Sequence, residues 1–302
     1  MFRLLSIVSL SAMLATLVPD AYAQQGQVRT IHQERSLYRN ILVTEDDQRL
    51  CMRFTVTEVN GLNQTCRFHD DHDKLVFPYA KMVLSSLMVQ DNPESILIIG
   101  LGGGTLIHTY STLFPEATIT TVEIDEAVVD VAEKYFGYTN SDKIRTETVD
   151  GRVFIKREGL RNAKYDLVIL DAFTGEYIPE HLMTTEFLEE VKKLLPEDGL
   201  LIANTFSTSR LYAAESNTYR QVFGEFANVR MAGTGNRIII APMQPLPDRA
   251  TLDARAAELQ PRVERFGMNI LEFPDIWETK ADWNLRERIL TDEYAPVNLL
   301  NN

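Results

Sequence analysis

Between Ser95 and Ile240 the chain alternates short apolar runs with amphipathic stretches. The runs are Ile96 to Ile99, Thr118 to Val122, Ile144 to Val149, Tyr165 to Leu170, Leu200 to Ala203 and Ile238 to Ile240. Runs of this length suit strands buried on both faces, and the intervening stretches suit crossover helices that cover those faces. Between the second and third runs, Val128, Val131, Ala132 and Tyr135 fall at i, i+3, i+4 and i+7, the apolar face of a helix over 127–136. Thr185 to Leu195 carries Phe187, Val191, Leu194 and Leu195 on one face, then stops at Pro196 and Gly199. Arg210 to Phe223 reads as another helix, and Asp248 to Phe266 as a further one, broken near Pro261. The pattern predicts an α/β fold with a parallel, Rossmann-like sheet.

What flanks this region is different. Residues 24–74 hold strand-like pieces at Ile41 to Val43, Leu50 to Val56 and Gln64 to Phe68, predicting a small antiparallel β unit. The expected organisation is therefore a leader over 1–23, a β unit over 24–74, a Rossmann-like nucleoside-binding domain over 75–245 and a mainly helical extension over 246–302. The leader expectation rests on Arg3, an apolar run from Leu4 to Val18, Pro19, and Ala21-Tyr22-Ala23, the three parts of a secretory signal peptide. It predicts an exported protein, periplasmic or secreted, with no membrane attachment after cleavage.

Export changes how Cys51 and Cys66 read, since an oxidising compartment permits a disulfide between them. A two-residue turn at Asn60-Gly61 does not place them opposite each other, so pairing needs a longer loop or a bulge. Two buried free thiols are the alternative.

In open α/β sheets, ligands bind beyond the carboxyl ends of the strands. After the first run stands Gly100-Leu101-Gly102-Gly103-Gly104, after the second Glu123, after the third Asp150-Gly151, and after the fourth Asp171. Each alone also serves as a cap or turn. Together they predict a nucleoside site. Glycines let backbone approach a ligand closely. Glu123 at the second strand end suits ribose hydroxyls. Asp150 suits an exocyclic amine such as that of adenine, and Asp171 faces the reacting end. A nicotinamide site is disfavoured because G-x-G-x-x-G would place its last glycine at Thr105. No G-K-[ST] phosphate loop is present.

The segments ILIIGLGGGTLIHTYSTLFPEATITTVEIDEAVVDVAEKYFG, VDGRVF and YDLVILDAF resemble the spermidine synthase-like family. These are the polyamine aminopropyltransferases within the class I adenosylmethionine-dependent methyltransferase fold. The likeness extends over about residues 36–300, including LTDEYAPVN. It implies aminopropyl transfer from decarboxylated S-adenosylmethionine to a polyamine or other amine. Methyl transfer from S-adenosylmethionine and non-catalytic binding of a nucleoside or polyamine are the alternatives. On the family pattern Glu123 binds ribose, Asp150 and Gly151 contact adenine, Gly100, Gly102, Gly103 and Gly104 form the donor loop, and Asp171 is the catalytic acid. Tyr79 and Thr174 are substrate-side candidates.

The departures from that pattern concern charge. Gly103 stands where the family has an acid, and Thr174 replaces a second one. Tyr79-Ala80-Lys81 replaces Tyr-His-Glu, and Tyr38-Arg39 replaces Tyr-Gln. Losing two charge-assisted bonds weakens recognition of a cation by roughly 10²–10⁴. Lys81 and Arg39 read either as solvent-facing charge or as groups favouring an anionic donor carboxylate.

Charge and composition exclude other classes. Thirty basic against 43 acidic residues give a net charge of −13, unsuited to sequence-independent nucleic-acid binding. A small-molecule amine is the expected partner, and a homodimer is compatible with the sequence. His69-Asp70-Asp71-His72-Asp73 carries metal-type residues but reads as a polar loop without companion ligands, so no metal is expected.

Overall fold

The computed structural model describes residues 28–55, 63–173 and 177–295. The leader, the Asn60-Gly61 turn and Thr174 lie outside the described residues.

Two sheets organise the chain. The first is an antiparallel meander of β1 (Arg29–Arg35), β2 (Asn40–Glu45), β3 (Arg49–Thr55) and β4 (Asn63–Phe68). Cys51 and Cys66 are directly opposed across β3 and β4, and their sulfurs are bonded. The pairing slips by a bulge between Met52 and Arg53.

The second sheet takes its strands from the six apolar runs and two further short segments. After α1 (Pro78–Leu84) come β5 (Ser95–Ile99), α2 (Thr105–Leu113), β6 (Thr118–Glu123), α3 (Glu126–Val131), β7 (Ile144–Thr148), α4 (Gly151–Leu160) and β8 (Leu167–Leu170). Then follow α5 (Thr185–Lys192), β9 (Leu200–Phe206), α6 (Tyr212–Phe223), β10 (Ala227–Val229), β11 (Asn236–Pro242), α7 (Arg249–Val263) and β12 (Trp277–Glu278). Strand order is β12-β10-β11-β9-β8-β5-β6-β7. Strands β5 to β9 run parallel, and β11 lies antiparallel beside β9. The chain adds strands outward from β5 to β7, then returns to the other side of β5 with β8. The switch point therefore lies between β5 and β8, where such sheets form ligand crevices.

The central strand shows why the runs are continuous. Ile96 and Ile98 pack into the core on one face, Leu97 and Ile99 into the core on the other, and all are buried. Each contributes about 1.5–3 kcal/mol by leaving water. The antiparallel meander packs separately: Ile41, Val43, Leu50, Met52 and Phe54 meet Val128, Val131 and Phe136.

Two helices depart from the sequence expectation. The helix over 127–136 forms as α3 followed by a wider π turn at Ala132–Phe136, closed by left-handed Gly137. The expected break at Pro261 does not occur. Helix α7 runs through Pro261 to Val263 and ends in a short 3₁₀ turn and Gly267. Proline removes one donor and opposes a carbonyl one turn back. The buried stripe of Leu252, Ala256, Leu259 and Val263 on the core keeps this helix continuous. The segment after α7 is not wholly helical, since its Trp277–Glu278 joins the edge of the large sheet beside β10.

Candidate functional site

A cavity of about 750 Å³ opens at the carboxyl ends of the parallel strands. Gly100, Gly102, Gly103, Glu123, Asp150, Gly151, Asp171 and Tyr79 all line it. Gly104 sits just behind, as the left-handed residue that starts α2.

Two glycines of the loop are fixed by close approach. A Cβ on Gly100 would lie 2.3 Å from the Asp171 carbonyl oxygen, so β5 and β8 converge only because that position is bare, and its φ of 108° favours glycine as well. At Gly103 a Cβ would meet Thr65 Cγ2 at 2.6 Å and Phe136 Cδ1 at 2.9 Å. Strand β4 and the π turn after α3 thus close the place where the family pattern carries an acid.

Glu123 ends β6 and is buried. Its Oε2 accepts from the Leu101 backbone N–H at 3.2 Å, and its Oε1 from those of Ile124 and Asp125 at 3.0 and 3.1 Å. A carboxylate offers about four acceptor sites, so three backbone bonds leave capacity for a ligand hydroxyl. Burial raises its pKa, and the positive charge of Arg39 acts first against that rise.

Arg39 corrects the reading of solvent-facing charge. It lines the cavity with its side chain 8% exposed. Its Nη1 donates to the Phe173 carbonyl at 3.1 Å, its Nε lies 3.6 Å from Asp125 Oδ2, and the guanidinium stacks over Phe54 at 4.4 Å. The Asp125 carboxylate also accepts from Ser36 Oγ at 2.6 Å and caps α3. Arg39 is therefore a buried cation at the cavity wall, with Asp125 as its ion-pair partner. Lys81 is outside the cavity, with Nζ donating to the Gly267 carbonyl at 2.6 Å.

Asp150 works first as a helix cap. Its Oδ1 accepts from the Val153 N–H at 2.9 Å, while His181 Nε2 lies 2.8 Å from Oδ2. An adenine amine reaching Asp150 shares that carboxylate with His181, a cavity residue the sequence reasoning missed.

Asp171 follows β8 and faces the cavity. Asn204 Nδ2 donates to its Oδ1 at 2.8 Å, and the Tyr79 hydroxyl approaches its Oδ2 at 3.4 Å. Burial pushes the Asp171 carboxyl up to about 7, opposed by the Asn204 and Tyr79 hydrogen bonds. Tyr79 is pushed well above the ordinary phenol range by burial and then by the Asp171 charge. A carboxylate that titrates near neutrality in a cleft suits a general base. Asn204 is a further site residue without a role in the sequence reading, although it stands directly after the fifth apolar run.

Among the described residues no group of three or more His, Cys, Asp or Glu side chains is arranged to hold a metal ion. His69, in the polar loop, instead meets the Asp46 carbonyl at 3.0 Å.

Residues 76–232 match the spermine/spermidine synthase domain. The sequence is 46% identical to a polyamine aminopropyltransferase of Vibrio vulnificus, over 97% of this chain and 98% of that one. The chain belongs to the spermine/spermidine synthase family. Solved structures carry the same fold at low identity. A probable spermidine synthase from Corynebacterium glutamicum superposes with a TM-score of 0.64 at 18% identity, covering 85% of this chain and 98% of that one. Human methyltransferase-like protein 13 in complex with SAH gives 0.54 at 22% identity, covering 74% and 100%. These likenesses identify the large sheet as the Rossmann-like, methyltransferase-type fold. The family membership places the Gly103 and Arg39 departures inside a synthase framework rather than outside it.

Proposed function

We propose that the protein transfers an aminopropyl group from decarboxylated S-adenosylmethionine to an amine. The observation that carries this reading is Asp171, raised toward neutrality at the cavity wall and set against Tyr79. The family's aminopropyltransferase activity supports it. In this reading Glu123 accepts from the donor ribose and Asp150 from its adenine amine. The acceptor nitrogen attacks the carbon next to the sulfonium. The C–S electron pair goes to sulfur, leaving the neutral thioether methylthioadenosine, and the proton lost by nitrogen passes to Asp171. The sulfonium is already a good leaving group, so the site contributes mainly orientation, proton acceptance and electrostatics.

The cavity size and donor set fit this nucleoside. The substrate amine meets Asp171 as its anionic partner, with Tyr79 beside it. Mass spectrometry of nucleosides formed from the purified protein, an amine and each donor tests the reading. Methylthioadenosine formation supports it. S-adenosylhomocysteine formation replaces it with methyl transfer, and nucleoside binding without turnover replaces it with a binding role.

We further propose export. The leader pattern over 1–23 and the bonded Cys51–Cys66 pair support an oxidising compartment. The mature chain then begins at Gln24. N-terminal sequencing of exported material that still carries Met1 overturns this.

A further inference from the structure

Asp171 stands at the end of a directed series of side-chain hydrogen bonds. The parallel register pairs Leu170 with Ala203, so Asp171 and Asn204 leave adjacent strands side by side. Asn204 Nδ2 donates to Asp171 Oδ1 at 2.8 Å. Asn236, on β11, donates from its Nδ2 to Asn204 Oδ1 at 2.9 Å. Thr234 Oγ1 donates to Asn236 Oδ1 at 3.0 Å and accepts from the Asn236 backbone N–H at 3.1 Å. The polarity therefore runs one way, from Thr234 through Asn236 and Asn204 to Asp171.

We propose that Asn204 and Asn236 are positioning residues for Asp171, and that they direct the proton of the acceptor amine to Oδ2, on the Tyr79 side. This rests on the transfer reading above. An amide side chain has two ends of nearly equal shape, one a donor and the other an acceptor. Asn236 removes the ambiguity at Asn204, because its N–H demands the carbonyl end and leaves the NH₂ for Asp171. Asn204 is 4% exposed and its Nδ2 lies 2.8 Å from Asp171 Oδ1, so a reversed amide would set its oxygen against a carboxylate. Oδ1 is thereby committed as an acceptor of a proton that Asn204 does not give up. Among the described residues, Oδ2 has the longer Tyr79 contact at 3.4 Å. As the new N–C bond forms and the C–S pair moves to sulfur, the nitrogen's proton goes to Oδ2, and Asp171 becomes a neutral acid still held by Asn204 through Oδ1.

The other ionisable side chains lining the cavity are Tyr38, Arg39, Glu123, Asp150 and His181. Among the described residues, Asn204 and Tyr79 are the side chains that hydrogen-bond the Asp171 carboxylate. The Asn204 bond favours the ionised form against burial. Removing it moves the Asp171 titration upward.

The test uses the full protein labelled with ¹³C at aspartate carboxyls, with the Asp171 signal assigned by its loss in Asp171→Asn. Thermal unfolding checks that each variant folds. In Asn204→Leu the Asp171 midpoint rises by about one unit or more, the worth of a hydrogen bond to a charged group. In Asn236→Leu it rises by less, because Asn204 remains but is free to turn, and Asn236→Gln, which keeps the amide donor, stays nearer the parent. The pH profile of transfer moves with the titration, activity returns at high pH, and KM for the acceptor stays within a few fold. A purely structural role instead lowers activity equally at every pH. An Asp171 midpoint unmoved in folded Asn204→Leu and Asn236→Leu overturns the proposal. Should Asn204→Leu not fold, Asn236→Leu decides by itself. A parent that titrates as described but forms no methylthioadenosine refutes the transfer reading, while the titration still decides whether Asn204 and Asn236 position Asp171.

Discussion

Replacing Gly103 by alanine separates two explanations for the missing acid in the donor loop. If the position were simply free to vary, alanine would be tolerated, since the Gly103 backbone does not have a positive φ. The structure gives the opposite expectation. The added methyl lands 2.6 Å from Thr65 Cγ2 and 2.9 Å from Phe136 Cδ1, both well inside van der Waals contact. Thr65 is held by its strand and by the 3.0 Å contact between its Oγ1 and that of Thr105, and Phe136 by the core under the meander. Overpacking of this kind costs about 1–3 kcal/mol. At about 2 °C per kcal/mol for a chain of this size, the unfolding midpoint falls by about 2–6 °C. Thr65→Ser removes Cγ2 while keeping the hydroxyl, so Gly103→Ala with Thr65→Ser recovers part of the loss, with a coupling of about 1 kcal/mol between the two sites. Gly103→Asp is worse than alanine and does not restore cation recognition. Calorimetric unfolding of the parent, Gly103→Ala, Thr65→Ser and the double variant measures the loss and the coupling. Gly103→Ala that unfolds with the parent, or a double variant showing no coupling, refutes the argument that β4 closes the position.

Asp171→Asn lowers turnover at saturating donor by about 10²–10⁴ and leaves nucleoside affinity within a few fold, as read by steady-state kinetics and calorimetric titration. Glu123→Gln does the reverse, weakening nucleoside binding more than saturated turnover. The pH profile of kcat/KM rises through about 7 as Asp171 ionises. The same shift acts on stability with the opposite sense: the folded state retains the Asp171 proton from the unfolded value of 3.8 up to about 7, so stability is lost as pH rises through that window, by at most about 4 kcal/mol. Asp171→Asn therefore gains stability over the parent at pH 8 and not at pH 4, measured by denaturant unfolding. Alkylation of unfolded, non-reduced protein labels neither Cys51 nor Cys66, and breaking their bond costs on the order of 3 kcal/mol.

The parallel sheet was legible because its strands are buried on both faces. Ile96 to Ile99 has no polar position to spare, and each of the six runs became a strand. The segments that went unread are those whose local signal is weak or contradicted. Ala227–Val229 and Trp277–Glu278 are too short to show a period, and they pair only because β11 and then β10 present an edge. Helix α4 begins directly at Gly151, so its start was hidden behind a residue pair read for its ligand chemistry. Pro261 gave a local stop signal that tertiary burial overrode.

The site divides along the same physical line. Residues that answer to backbone position were readable, because strand ends at a switch point are fixed by the order of the runs. Glu123, Asp150 and Asp171 needed only that order. Residues that answer to a partner's side chain were not. Arg39 reads as surface charge or as a partner for a donor carboxylate, because nothing in Tyr38-Arg39 announces that Asp125, Phe54 and the Phe173 carbonyl converge on it from three separate places in the chain. Asn204 follows the run Leu200 to Ala203 and has no role in the sequence reading, yet it occupies the position where β9 meets the end of β8. A polar side chain inside an otherwise apolar run has to find a partner or cost a few kcal/mol. Asn204 finds two, Asp171 below its nitrogen and Asn236 beside its oxygen. A lone amide near the carboxyl end of a buried parallel strand is thus a signal in its own right. It points to whatever acid the neighbouring strand places at the same height, and in this chain that acid is Asp171.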